Sequence, residues 1–293
     1  MQVLNVVVFL PLCIIFSAHL SEAVISSLLQ LHCGESTLNA DITDGHDARS
    51  EEMPWIVIVR ARRNYGKNPL ICIGAIVTPR HVITAAHCYP PRATDITVFY
   101  GYRFDVNRRL GVKRVFTSKL HDAVYNQYKT HFEDILLLEL FDPLKFDKHK
   151  GPVCIANTEE QFKNAAVITA TYGNQRDAME WPRYHLRLQP VLINSSTLHR
   201  CIDEYKWGEE YEICVSPKNN DFCQSFTGSP LVVYRDKRFY MIGVFSYFNA
   251  HTLNECTSSF TPQMYTRITS SIRAFIISAI EKSTYNYTKN PLD

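Results

Sequence analysis

The chain has 293 residues, 46% hydrophobic and 20% charged, with 31 basic and 29 acidic residues for a net charge of +2. A chain this apolar and this evenly charged is not disordered, and its length suits one large or two modest packed domains. It lacks the concentrated basic excess of a nucleic-acid binder.

In chain order, Val3–Leu20 is almost wholly apolar and runs into Ser21-Glu22-Ala23. This pattern reads as a secretory leader over residues 1–23, cleaved after Ala23. An uncleaved membrane anchor is the alternative; Pro11 and the small residues favour cleavage. Cleavage removes Cys13 and leaves eight cysteines, at 33, 72, 88, 154, 201, 214, 223 and 256. An even count in a secreted chain implies disulfides. No Cys-x-x-Cys pair occurs, so no metal is expected, nor any cofactor. Asn194 and Asn286 head glycosylation sequons.

Past residue 53 the pattern predicts short strands rich in β-branched and aromatic residues. They are Trp55–Val59, Ile71–Val77, His81–Thr84, Ile96–Tyr102, Val112–Phe116, Ile135–Leu140, Ala166–Thr171, Tyr184–Ile193, Leu231–Tyr234 and Phe239–Phe245. Such spacing suggests an antiparallel sandwich or barrel. A terminal helix capped by Ser270 is expected, with Ile272, Phe275, Ile276, Ala279 and Ile280 on one face, and a shorter one over Ser196–Lys206. Two basic runs, Arg60, Arg62, Arg63 and Lys67, then Arg108, Arg109, Lys113 and Arg114, read as solvated loops, with a polyanion site as the alternative.

Four motifs then fall in one order. Cys72-Ile73-Gly74-Ala75-Ile76-Val77 precedes Thr84-Ala85-Ala86-His87-Cys88; Asp134-Ile135-Leu136-Leu137-Leu138 follows, then Cys223-Gln224-Ser225-Phe226-Thr227-Gly228-Ser229-Pro230. Together they resemble the trypsin-like (chymotrypsin-fold) serine proteases, and Ile42-Thr43-Asp44-Gly45 resembles the N-terminus that activation exposes in that family. The resemblance implies an all-β fold: two antiparallel six-stranded barrels and a C-terminal α-helix. It implies residues 24–41 as an N-terminal extension or pro-segment tied by Cys33, 42–282 as the protease domain and 283–293 as a tail. It implies the bridges Cys33–Cys154, Cys72–Cys88, Cys201–Cys214 and Cys223–Cys256. His87 takes the place of the general base and Asp134 of its orienting carboxylate.

The sequence departs from that template at the nucleophile. Thr227 stands where the family has serine, and its added methyl restricts χ1. Phe226 replaces the aspartate that pairs with the amine freed on activation, and Asp41 precedes Ile42 where trypsin-like activation needs Arg or Lys. Ser225 replaces the glycine of the oxyanion loop, where losing one donor costs about 10²–10³ in rate. In the specificity pocket, Asp221 matches the carboxylate that selects Arg and Lys, or is a solvated loop acid; Ser246, Tyr247 and Phe248 match the substrate-binding strand. Phe248 and Gln263 replace pocket glycines and are expected to narrow or fill it. Ile73, Ser225, Ser229, Phe248 and Gln263 together account for part of a low glycine count, eleven in the chain.

The reading that results is a secreted protease homologue without efficient proteolysis, binding a protein partner such as an inhibitor, a protease or a substrate. The alternative is an atypical endopeptidase using Thr227, His87 and Asp134. No nucleic-acid partner is expected.

Overall fold

A computed structural model describes residues 32–39, 45–63, 69–90, 93–101, 107–118, 133–156, 162, 166–172, 186–193, 210–217, 227–248 and 262–289. After β1 (His46–Asp47) come the strands of a first barrel: β2 (Ile56–Arg63), β3 (Leu70–Thr78), β4 (His81–Thr84), β5 (Ala93–Tyr100), β6 (Arg109–Thr117) and β7 (Leu136–Leu140). They close antiparallel in the order β2-β3-β4-β7-β6-β5. Val57, Val59 and Ala61 of β2 lie opposite Tyr100, Val98 and Ile96 of β5, and this alternate set packs the barrel interior.

The second sheet holds β9 (Ala166–Tyr172), β10 (Leu186–Leu192), β11 (Glu212–Pro217), β12 (Pro230–Arg235), β13 (Arg238–Phe248) and β14 (Gln263–Arg267). Pairing runs β10-β11-β14-β13-β12-β9, and β9 pairs β10 in turn. The short β8 (Cys154–Ile155) joins β13 in parallel, and β1 joins β10. The architecture is thus two six-stranded antiparallel barrels with one terminal helix, α1 (Ser270–Lys289). Trp55 and Phe239, with ring centroids 5.7 Å apart, link the entry to β2 with β13.

All ten predicted strands overlap observed ones. Sequence reading passes over β11 and β14, whose Glu-Ile-Cys-Val-Ser-Pro and Gln-Met-Tyr-Thr-Arg interleave polar residues into short stretches. The basic runs are corrected: Arg60, Arg62, Arg109 and Lys113 lie on strands β2 and β6, not in loops. The helix cap is also corrected. The hydroxyl of Thr269, just before α1, accepts the Ile272 N–H at 3.2 Å, so Thr269 takes the role assigned to Ser270. Ile272, Ile276, Ala279 and Ile280 are buried as expected and Phe275 packs partly buried beside them. The helix runs through Lys289, across the 282/283 boundary. The helix expected over 196–206 and the residues before 32 lie outside the described residues.

Two tethers complete the body. Arg114 donates through Nε to Glu139 Oε2 (2.5 Å) and through its terminal nitrogens to the carbonyls of Lys282 and Ser283 (3.4 and 3.3 Å), joining α1 to the first barrel. The Cys33–Cys154 bridge holds the N-terminal segment, where Gly34 N–H donates to Pro152 O and Gly34 O accepts from Phe239 N–H.

Candidate active site between the barrels

Pairing of β4 with β7 sets Thr84 opposite Leu136. His87 lies three residues beyond that pair and Asp134 two before it, so one pairing register brings them together. A single 3-10 turn, Ala86–Cys88, presents His87, and the Cys72–Cys88 bridge staples the turn to β3 with Cα atoms 6.2 Å apart. Glu133 adopts a left-handed backbone (φ 45°) immediately before Asp134, turning the chain into β7. Its own carboxylate points elsewhere and accepts from the Ser118 hydroxyl at 2.5 Å.

The Asp134 carboxylate is fully buried, while the His87 side chain is 22% exposed. Oδ1 accepts the His87 backbone N–H at 2.9 Å and Oδ2 accepts Nδ1–H at 2.5 Å. The second barrel adds two bonds: Ser246 Oγ donates to Oδ2 at 2.5 Å, and Thr266 Oγ1 donates to the Asp134 carbonyl at 3.4 Å. Burial removes competing water, and these partners compensate the desolvated carboxylate. With Nδ1 turned to Asp134, Nε2 is the ring nitrogen that points away from the carboxylate.

Thr227 is differently placed. Its backbone is held between β3 and β13: Ile73 N–H donates to Thr227 O at 2.9 Å, and Gly228 N–H to Phe245 O at 2.9 Å. Its hydroxyl, however, lies 3.2 Å from Cys72 Sγ and 3.6 Å from Cys88 Sγ. No hydrogen bond joins it to His87. Gly228 has φ +87°, and a Cβ there would stand 2.1 Å from Ile73 O and 2.2 Å from Thr84 Oγ1. Only glycine fits that turn.

Gln263 is buried on β14 (5% exposed), and the Tyr265 hydroxyl reaches its Oε1 at 3.2 Å and Thr169 Oγ1 at 3.0 Å. The Ser229 hydroxyl donates to Ala170 O at 2.5 Å. Tyr247 donates its phenolic hydrogen to Glu212 Oε1 at 3.2 Å. Gln263 is the backbone register partner of Phe248 across β13 and β14.

Of the residues singled out in the sequence, His87, Asp134 and Ser246 are joined by hydrogen bonds, Thr227 lies against the neighbouring Cys72–Cys88 bridge, and Tyr247 and Gln263 bond to Glu212 and Tyr265 within the second sheet. Asp221, Ser225 and Phe226, the Phe248 side chain, and Cys201, Cys223, Cys256 and Asn194 lie outside the described residues. Cys214 is disulfide-bonded. Asn286 falls within α1. Thr266, Glu212 and Tyr265 were missed: their partners are distant in sequence, so no local pattern announces them. Among the described residues no group of three or more metal-ligating side chains assembles.

A fold of two such barrels with a buried Asp–His pair at their junction defines a chymotrypsin-type serine-protease architecture. The chain belongs to the trypsin family, whose sequence model matches residues 42–276. It is similar to serine protease filzig of Drosophila melanogaster (30% identity over 78% of this chain, but 14% of that long protein). It is likewise similar to the venom protease of Bombus pensylvanicus (28%, 82% of this chain and all of that protein) and to guinea-pig (Cavia porcellus) coagulation factor IX (26%, 73% and 76%).

Proposed function

We propose that this chain is a secreted trypsin-family protein without efficient proteolytic activity, acting as a binding or regulatory protein. The observation that carries the reading is the Thr227 hydroxyl, which sits against the Cys72–Cys88 sulfurs and makes no hydrogen bond to His87. Peptide hydrolysis by this family's chemistry needs that hydroxyl to give its proton to His87 Nε2 as oxygen attacks the carbonyl, and needs paired N–H groups to hold the oxyanion. Phe226 and Ser225 weaken the second requirement, since neither supplies what the family's aspartate and glycine supply. Gln263, buried on β14, stands where the family resemblance puts a pocket glycine and would narrow that pocket. The retained cleft then serves capture of an inhibitor, a protease or a protein substrate.

The test is purified secreted protein with Arg, Lys and aromatic ester substrates, using Thr227→Ala as control. Turnover equal in both proteins is expected; turnover abolished by the substitution overturns the reading. A second reading, an atypical serine-type endopeptidase, is favoured by one feature. His87, Asp134 and Ser246 keep a continuous hydrogen-bond chain centred on the buried Asp134 carboxylate. In that reading a χ1 rotation of Thr227 delivers its hydroxyl to Nε2.

A further inference from the structure

The two basic runs are 40-odd residues apart in the chain, yet β2, β5 and β6 are consecutive in the first barrel. Register places Arg60 opposite Thr97 and Thr97 opposite Gly111; Arg62 lies opposite Asp95, and Phe99 opposite Arg109. Side chains alternate along a strand, so Arg60, Arg62 and Arg109 stand on the outer face while Val59, Ala61, Ile96 and Val98 fill the interior. Neighbouring cations on one strand are then about 6.6 Å apart, and β2 and β6 about 10 Å. Arg62, Arg109 and Lys113 are exposed and Arg60 half-buried. Arg60, Arg62 and Arg109 form no ion pair among the described residues, and Arg60 Nε is buried without a hydrogen-bond partner. Among the described residues this face carries four cations, Arg60, Arg62, Arg109 and Lys113, and one carboxylate, Asp95.

An aromatic ring lies among these charges. Phe141, the most exposed large hydrophobic residue among those described (57%), rests over Gly111, where a Cβ would come 3.2 Å from its ring. Arg109 and Lys113 flank Gly111 on β6. We propose that this outer face of β2, β5 and β6 docks an acidic peptide segment whose apolar side chains contact Phe141. A sulfated polysaccharide needs the cations alone; the exposed ring between them favours a peptide.

The proposal deepens the binding-protein reading by naming a partner chemistry. It uses none of His87, Asp134 or Thr227, so ester hydrolysis and peptide binding fail separately. The probe is a fluorescein-labelled peptide of alternating Asp/Glu with Phe and Leu, titrated with full-length secreted protein and followed by anisotropy. Saturable binding that weakens with salt is expected. Arg62→Glu with Arg109→Glu should weaken it about tenfold. Phe141→Ser should weaken it about threefold while leaving retention on a heparin column unchanged. Arg62→Gln with Arg109→Gln repeats the test without added repulsion, and circular dichroism checks that each variant folds. No saturable binding, or binding indifferent to the charge variants, overturns the proposal. Heparin retention without peptide binding overturns it in favour of a polysaccharide site.

Discussion

Thr227 Oγ1 lies 3.2 Å from Cys72 Sγ, so this hydroxyl packs on the disulfide that staples the His87 turn instead of bonding the imidazole. Branching at Cβ restricts the rotamers by which it can leave. Thr227→Ser removes the methyl but not Phe226 or Ser225. Active-site titration of that variant is expected to show no burst, because one missing oxyanion donor alone costs about 10²–10³. Family-like turnover would show that the oxyanion loop forms without its carboxylate.

Gly228→Ala should cost at least about 2 kcal/mol, since the added Cβ meets a backbone carbonyl and the φ of +87° is itself unfavourable for alanine. Urea unfolding midpoints measure this. An unchanged midpoint would mean the turn is adjustable.

His81 predicts a pH dependence of stability. It is buried opposite Glu139, with Nδ1 2.6 Å from Thr78 Oγ1. Burial pushes its pKa from 6.5 down to about 4; Glu139 opposes this, while Arg114 and Arg80 reinforce it. Below pH 6.5 the unfolded chain takes up a proton that the folded chain resists. Stability contributed by His81 is therefore full above that pH and falls as pH drops towards 4, by about 3 kcal/mol at most. His81→Leu should flatten the slope in this window in denaturation series across pH.

Removing the Cys33–Cys154 bridge with a double serine substitution should cost about 2–4 kcal/mol. It should also raise hydrogen exchange at Gly34 and Thr37, whose N–H groups bond Pro152 O and Glu51 O. Exchange unchanged at both would show that the segment is held without its covalent tie.

Much of the fold was legible because it depends on local chemistry. Alternating β-branched residues specify strands, and the Thr-Ala-Ala-His-Cys and Asp-Ile-Leu-Leu-Leu stretches mark where His87 and Asp134 sit. Strands β11 and β14 were not legible, because short stretches with interleaved polar residues are stabilised by their neighbours and not by propensity. The cap at Thr269 differs from Ser270 by one residue, which only the helix's first turn settles.

The sequence by itself determined which groups were available: a histidine, an aspartate, a threonine in place of serine, and eight cysteines after residue 23. Only the tertiary structure decided where they point. Whether Asp134 is desolvated depends on Ser246 and Thr266 arriving from the other barrel. Whether Thr227 faces His87 or a disulfide depends on how Ile73 and Phe245 hold its backbone. Whether two basic runs act as one surface depends on strand register. Contacts between distant segments follow from packing and pairing, which no local pattern encodes.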